Sequence, residues 1–69
     1  MQRQAVSSSN IASIGYDGQS ETLEVEFLDG SVYQYFNVPS GTHAGLMAAS
    51  SHGGYLSAQV KGKYQFQKL

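Results

Sequence analysis

Between Leu23 and Phe36 the chain alternates apolar and polar residues, pauses at Asp29-Gly30, and resumes, and no other stretch restricts the fold so tightly. Leu23, Val25 and Phe27 alternate with Glu24 and Glu26, and Val32, Tyr33, Tyr35 and Phe36 follow the break. A period of two built from β-branched and aromatic residues marks half-buried strands. An Asp-Gly pair tolerates the positive φ of a two-residue type I′ turn, which predicts a β-hairpin with Leu28 opposite Ser31. Counted outward, Phe27 then faces Val32, Val25 faces Gln34 and Leu23 faces Phe36. Glu26 opposes Tyr33 and Glu24 opposes Tyr35 on the other face. Leu23, Val25, Phe27, Val32 and Phe36 are therefore the expected covered face, and a one-residue bulge would shift the assignment.

The rest of the chain is arranged around this hairpin. Residues 1–9 are polar and serine-rich and are expected to be flexible, with order beginning near Ile11. Ile11 to Tyr16 reads as a first strand, with Ala12, Ile14 and Tyr16 on one face, ended by Gly15, Asp17 and Gly18. Pro39 stops the hairpin's second strand and opens a helical segment around Leu46 and Met47. Ser50-Ser51-His52-Gly53-Gly54 breaks that segment, with Gly53 expected in a left-handed conformation, and Tyr55 to Val60 forms a second short helix. Tyr64, Phe66 and Lys68 alternate with glutamines in a terminal strand whose partner is either the hairpin edge or the first strand. The reading is one α+β domain over residues 1–69, a small antiparallel sheet of three or four strands covered by one or two short helices.

With 69 residues the chain folds to roughly 4,200 Å² of surface and buries about 60 % of what the unfolded chain exposes, so only a thin core is available. There is no cysteine, which excludes a disulfide framework and any thiolate chemistry. No apolar run has membrane-spanning length and the first residues do not read as a signal segment, so a cytoplasmic protein is expected. Net charge is −1, but it is segregated: the five acids lie between Asp17 and Asp29, and three of the four bases are Lys61, Lys63 and Lys68.

Catalytic candidates are few. His43 and His52 have no carboxylate close in sequence, and solvation or capping accounts for them better than acid–base chemistry or metal ligation. Glu24 and Glu26, two apart on a strand, mark a wet sheet face more readily than a general acid and base. Ser50, Ser51 and His52 lack the strand–turn–helix context that exposes a nucleophile. No enzyme, metal or cofactor is expected. Aromatic residues make up 12 % of the chain, and two arrangements of them suit binding. Tyr33 and Tyr35 form a ridge able to stack bases or anchor a peptide. Tyr64 and Phe66 are interleaved with Lys61, Lys63 and Lys68, a small basic and aromatic set suited to nucleic acid.

Ser8-Ser9-Asn10-Ile11, Ile14-Gly15-Tyr16-Asp17, Leu23-Glu24-Val25-Glu26-Phe27, Gly30, Tyr33-Gln34-Tyr35, Val38-Pro39, Gly53, Tyr55, Val60 and Lys61 occur in an order that resembles the KTSC domain. That family is named from a C-terminal extension of some lysyl-tRNA synthetases and also occurs as a stand-alone small bacterial protein. The resemblance runs from about Val6 to Tyr64, places the family's tyrosine-x-tyrosine motif on Tyr33 and Tyr35, and implies no catalytic residues. His43 stands where relatives are expected to carry an apolar or aromatic residue. Two roles follow as expectations. One is a non-enzymatic RNA-binding module acting through Lys61, Lys63, Tyr64, Phe66 and Lys68. The other is a module that binds another protein or itself, as a homodimer, through its sheet edges.

Overall fold

A computed structural model describes residues 1–69. The strands are β1 (Arg3–Ala5), β2 (Ile11–Asp17), β3 (Thr22–Phe27), β4 (Val32–Tyr35) and β5 (Phe66–Lys68), and helices α1 (Ser40–Ala48) and α2 (His52–Gln59) lie between β4 and β5 in sequence. The five strands form one antiparallel sheet in the order β1-β2-β3-β4-β5. The surface is 4041 Å², close to the value expected from length.

The hairpin is where the sequence places it, but its register differs by one residue. Phe27 accepts from the Gly30 N–H at 3.0 Å and donates its own N–H to Ser31 O at 2.8 Å, so Leu28, Asp29 and Gly30 make a three-residue loop. Gly30 has φ +90, the left-handed position that closes such a loop with a bulge. Asp29 Oδ1 accepts from both the backbone N–H (2.9 Å) and the hydroxyl (2.6 Å) of Ser31, which fixes the turn. Leu23 consequently pairs with Tyr35, Glu24 with Gln34, Val25 with Tyr33 and Glu26 with Val32.

That one-residue difference changes which residues share a face. Tyr33 and Tyr35 join Leu23, Val25 and Phe27 on the helix-covered side, while Glu24 and Glu26 point to the opposite side with Val32 and Gln34. Val32 and Phe36 are only half-buried, and Tyr35, 3 % exposed, takes the core place expected of Phe36. Phe27 is half-buried against the edge of the core rather than inside it.

Ile11, Ile14, Leu23 and Val25 from the sheet, Val38 from the loop after β4, and Leu46, Leu56 and Val60 from the helical segment form the core. A bulge between Ile11 and Ser13 lets both Ile11 and Ile14 reach it, and Ala12 instead accepts a hydrogen bond from the Val6 N–H. Residues 3–5, expected to be loose, pair with β2 through Gln4 and Ile14. Arg3 reaches across β2 to Glu24 at 2.9 Å, and Gln34 donates to the same carboxylate at 2.8 Å. Ser13 donates to Glu26 at 2.9 Å, so the uncovered face carries a row of partnered polar side chains.

The helices are short and end through specific contacts. Pro39 precedes α1, and its carbonyl receives the Thr42 and His43 N–H groups. At the other end Leu46 O accepts from Ala49 N–H and from His52 Nδ1 at 2.8 Å; because a carbonyl only accepts, Nδ1 must carry the proton. His52 is thus a capping histidine. Ser51 is the N-cap of α2, its hydroxyl accepting from Gly54 N–H at 3.1 Å. Gly53 lies within the first turn of α2 and not in a left-handed conformation; its lack of a Cβ makes room for the Asn10 carboxamide. His43 stacks on Tyr16 with ring centroids 4.6 Å apart and planes at 9°, filling the place where an apolar or aromatic residue was expected. Tyr16 is held by its hydroxyl, which donates to Val38 O at 2.6 Å.

Candidate nucleic-acid interface

Because β4 alternates, Tyr33 and Tyr35 project to the same side, and β5 sets Phe66 opposite Tyr35 and Lys68 opposite Tyr33. Phe27, on the same face of β3, completes the group. Phe27 and Tyr33 meet edge to face at 5.6 Å, Tyr33 and Phe66 lie 5.8 Å apart, and Tyr35 and Phe66 5.9 Å apart. Exposure rises steeply across this shelf, from 3 % at Tyr35 to 59 % at Phe66. Helix cover ends before the sheet does, and rings are left facing solvent.

The open end is a cleft of about 560 Å³. Its lining adds Leu28, Asp29 and Ser31 from the β3–β4 turn, Lys61 and Gly62 from the end of the helical segment, and Ser9 and Asn10 ahead of β2. Gly62 has φ +81, a turn that ends the helical segment and brings Lys61 Nζ over the Phe27 ring, 5.2 Å from its centroid. Lys68 Nζ stands 6.0 Å from the Tyr33 centroid. Arg3–Glu24 is the one ion pair of the chain, so both lysine charges are unneutralised by any carboxylate in contact. Glu24 and Glu26 lie on the other side of the sheet and do not flank the tyrosines, contrary to the expected register. Hydrogen bonds from the Ser31 hydroxyl and N–H hold the Asp29 carboxyl below its ordinary value, with the nearby Lys68 adding to the effect. Burial raises the Tyr35 hydroxyl.

Of the basic and aromatic residues singled out in the sequence, Lys61 and Phe66 line the cleft, together with Tyr33 and Tyr35, and Lys68 stands beside it. Lys63 is exposed outside the lining, and Tyr64 is half-buried against the core. Phe27 and Asp29 were missed as members of this site. Parity with Val25 puts Phe27 on the covered face, and only the extent of the helices separates it from the core. A second, wholly polar recess of about 310 Å³ is bordered by Ser7, Ser8, Ser9, Ser50, Ser51 and His52. Ser51 and His52 are occupied there as helix caps. No three His, Cys, Asp or Glu side chains converge as a metal site would need, and no helix is long and apolar enough to cross a membrane.

Comparison with known proteins decides the family: the KTSC domain model matches residues 7–64. The chain belongs to the KTSC domain family. The crystal structure of a KTSC domain protein from Yersinia pestis is 45 % identical, superposes with a TM-score of 0.93, and covers 99 % of this chain and 96 % of that one. An uncharacterised protein of Stutzerimonas stutzeri is 39 % identical over 61 residues, 88 % of this chain and 86 % of its own length. The lysine–tRNA ligase of Nostoc punctiforme is 39 % identical over 59 residues, 86 % of this chain. This KTSC chain spans about 10 % of the length of that ligase.

Proposed function

We propose that this KTSC domain is an RNA-binding module that holds a short single-stranded segment on the rings of Phe27, Tyr33 and Phe66, with the buried Tyr35 supporting them from beneath. The observation that carries the reading is the convergence of these rings in one open cleft with Lys61 and Lys68, neither of which is held in an ion pair. Aromatic faces stack bases whatever their sequence, and ammonium groups at the rim meet the phosphates. The opposite sheet face keeps its carboxylates away from the path of the backbone. The lysine–tRNA ligases that share this module act, by their name, on an RNA, which supports the same ligand class.

Fluorescence anisotropy with labelled single-stranded and duplex oligonucleotides, at low salt, tests this. Single strands should bind better than duplexes. Phe66→Ala should weaken binding by about 1–3 kcal/mol while leaving the fold intact, because its ring is largely exposed. Replacing Lys61 and Lys68 by glutamine should reduce the slope of log affinity against log salt by about 1.4 if each meets one phosphate of a single strand. Failure to bind any RNA at low salt overturns the reading. A second reading, self-association or protein binding through the free edge of β5, is favoured by exposed Leu28, Phe66 and Leu69 beside it. It is distinguished by concentration-dependent sedimentation that the lysine substitutions leave unchanged.

A further inference from the structure

The cleft contains an anion where an RNA-binding surface would ordinarily avoid one. Asp29 is exposed in the β3–β4 turn and lines the same cavity as Phe27 and Tyr33. Its Oδ1 is taken by the Ser31 N–H and hydroxyl, and its Oδ2 has no partner. The hydrogen bonds from Ser31 orient the carboxylate, so that an acceptor with two free lone pairs stands at the end of an aromatic platform. Beside it, Asn10 O accepts from the Leu28 N–H at 3.0 Å, which fixes Asn10 against the same turn. The Asn10 side chain is turned the other way, its carboxamide packed against Gly53 and its oxygen accepting from the Ser8 hydroxyl, so it leaves the space beside Asp29 clear.

On the reading that the shelf binds single-stranded RNA, we propose that its cleft selects guanine, with Asp29 receiving the base's Watson–Crick edge. Guanine is the one RNA base that sets two donors, N1–H and the 2-amino group, side by side with an acceptor, O6, next to them. The unpartnered Asp29 carboxylate oxygen accepts both donors. Adenine and cytosine each offer one amino donor beside a ring acceptor, and uracil one donor between two carbonyls. Each of these aims a lone pair at the carboxylate. Stacking on Phe27 and Tyr33 supplies affinity for any base; Asp29 supplies the discrimination. The unfavourable meeting of Asp29 with phosphate is offset by the ammonium groups of Lys61 over Phe27 and Lys68 beside Tyr33.

The test uses the full chain and oligouridines carrying a single central guanine, adenine or inosine, compared by anisotropy at low salt. Guanine should bind about ten-fold more tightly than adenine, in the range that a good two-point contact discriminates. Inosine, which lacks the 2-amino group, should lose part of that advantage, a comparison that leaves the protein untouched. In Asp29→Asn the side chain still accepts from the Ser31 N–H, so the turn persists, and circular dichroism verifies it. The guanine-to-adenine ratio should fall to near one. Equal affinity for guanine and adenine in the parent chain, or an Asp29→Asn variant that keeps the ratio, overturns guanine selection while RNA binding stands. No binding to any of the oligonucleotides overturns both.

Discussion

Two glycines with equally empty surroundings should respond to the same substitution with opposite signs. A Cβ added at Gly30 or at Gly41 meets nothing within 4 Å, so neither change is opposed by packing. Gly30 has φ +90 in the loop between β3 and β4, whereas Gly41 is the second residue of α1. At Gly30 an L-residue pays about 1–2 kcal/mol in left-handed strain, partly offset by about 0.4–1 kcal/mol from a stiffer unfolded chain. Gly30→Ala should therefore lose about 1 kcal/mol, and Gly30→Val about 2–3 kcal/mol because a β-branched residue fits the left-handed region worst. Gly41→Ala should gain about 0.5–1 kcal/mol from helix propensity. For a chain this short, with a urea m-value of about 1 kcal/mol/M, the midpoints move by about 1 M down for Gly30→Ala and about half to one molar up for Gly41→Ala. Equilibrium urea unfolding followed by far-ultraviolet circular dichroism reads all three variants. Unchanged midpoints for both Gly30 variants would refute the three-residue loop, and with it the register that separates the tyrosines from the glutamates.

Leu46 is fully buried between α1 and the sheet, and Leu46→Ala should cost about 2–5 kcal/mol, comparable with the whole stability of a domain this size; thermal melts read it as a large fall in Tm or as loss of the transition. Burial holds the His43 imidazole below its ordinary value, so the folded state resists the proton that the unfolded chain accepts. Stability that is full above the unfolded histidine value should then decline as pH falls through it and level off below the folded one, and His43→Gln should flatten that part of a Tm-against-pH curve. An identical curve in the variant would place the pH dependence elsewhere.

The location of every strand from Ile11 onward, and of both helices, was legible because each carries a run of residues whose period or punctuation has few alternatives. What misled was the turn. Asp29-Gly30 suits a two-residue type I′ loop, and the sequence alone does not reveal that Leu28 leaves the ladder and stands 61 % exposed. One residue in that loop decides the face of every residue in β4, so Phe36 and Val32 read as core and Tyr33 and Tyr35 as companions of the glutamates. β1 was illegible for a different reason. Arg3, Gln4 and Ala5 have no apolar period, and what holds them is pairing with β2 and the reach of Arg3 to Glu24, both non-local. In the candidate site, alternation and charge single out Lys61, Phe66 and Lys68 as one set and Tyr33 and Tyr35 as another, and the pairing of β4 with β5 that brings the two sets together is non-local. Phe27 could not be separated from the core without knowing where the helices stop, and Lys63 and Tyr64 are turned away from the cleft by the geometry of the Gly62 turn.

The strand order has a consequence for attachment. β1 and β5 are opposite edges of the sheet, so a polypeptide joined ahead of Met1 would depart from the side away from the aromatic shelf, which begins at β3, two strand spacings or about 10 Å from β1. If the shelf binds RNA as proposed, its two lysines supply only a weak grip by themselves. Carried on a larger partner already engaged with the same RNA, it would experience a local concentration in the millimolar range across a short flexible tether, and a weak contact becomes an effective one. The meander leaves that arrangement sterically open, because a tether at β1 would lie on the far side of β2 from the proposed binding shelf on β3, β4 and β5.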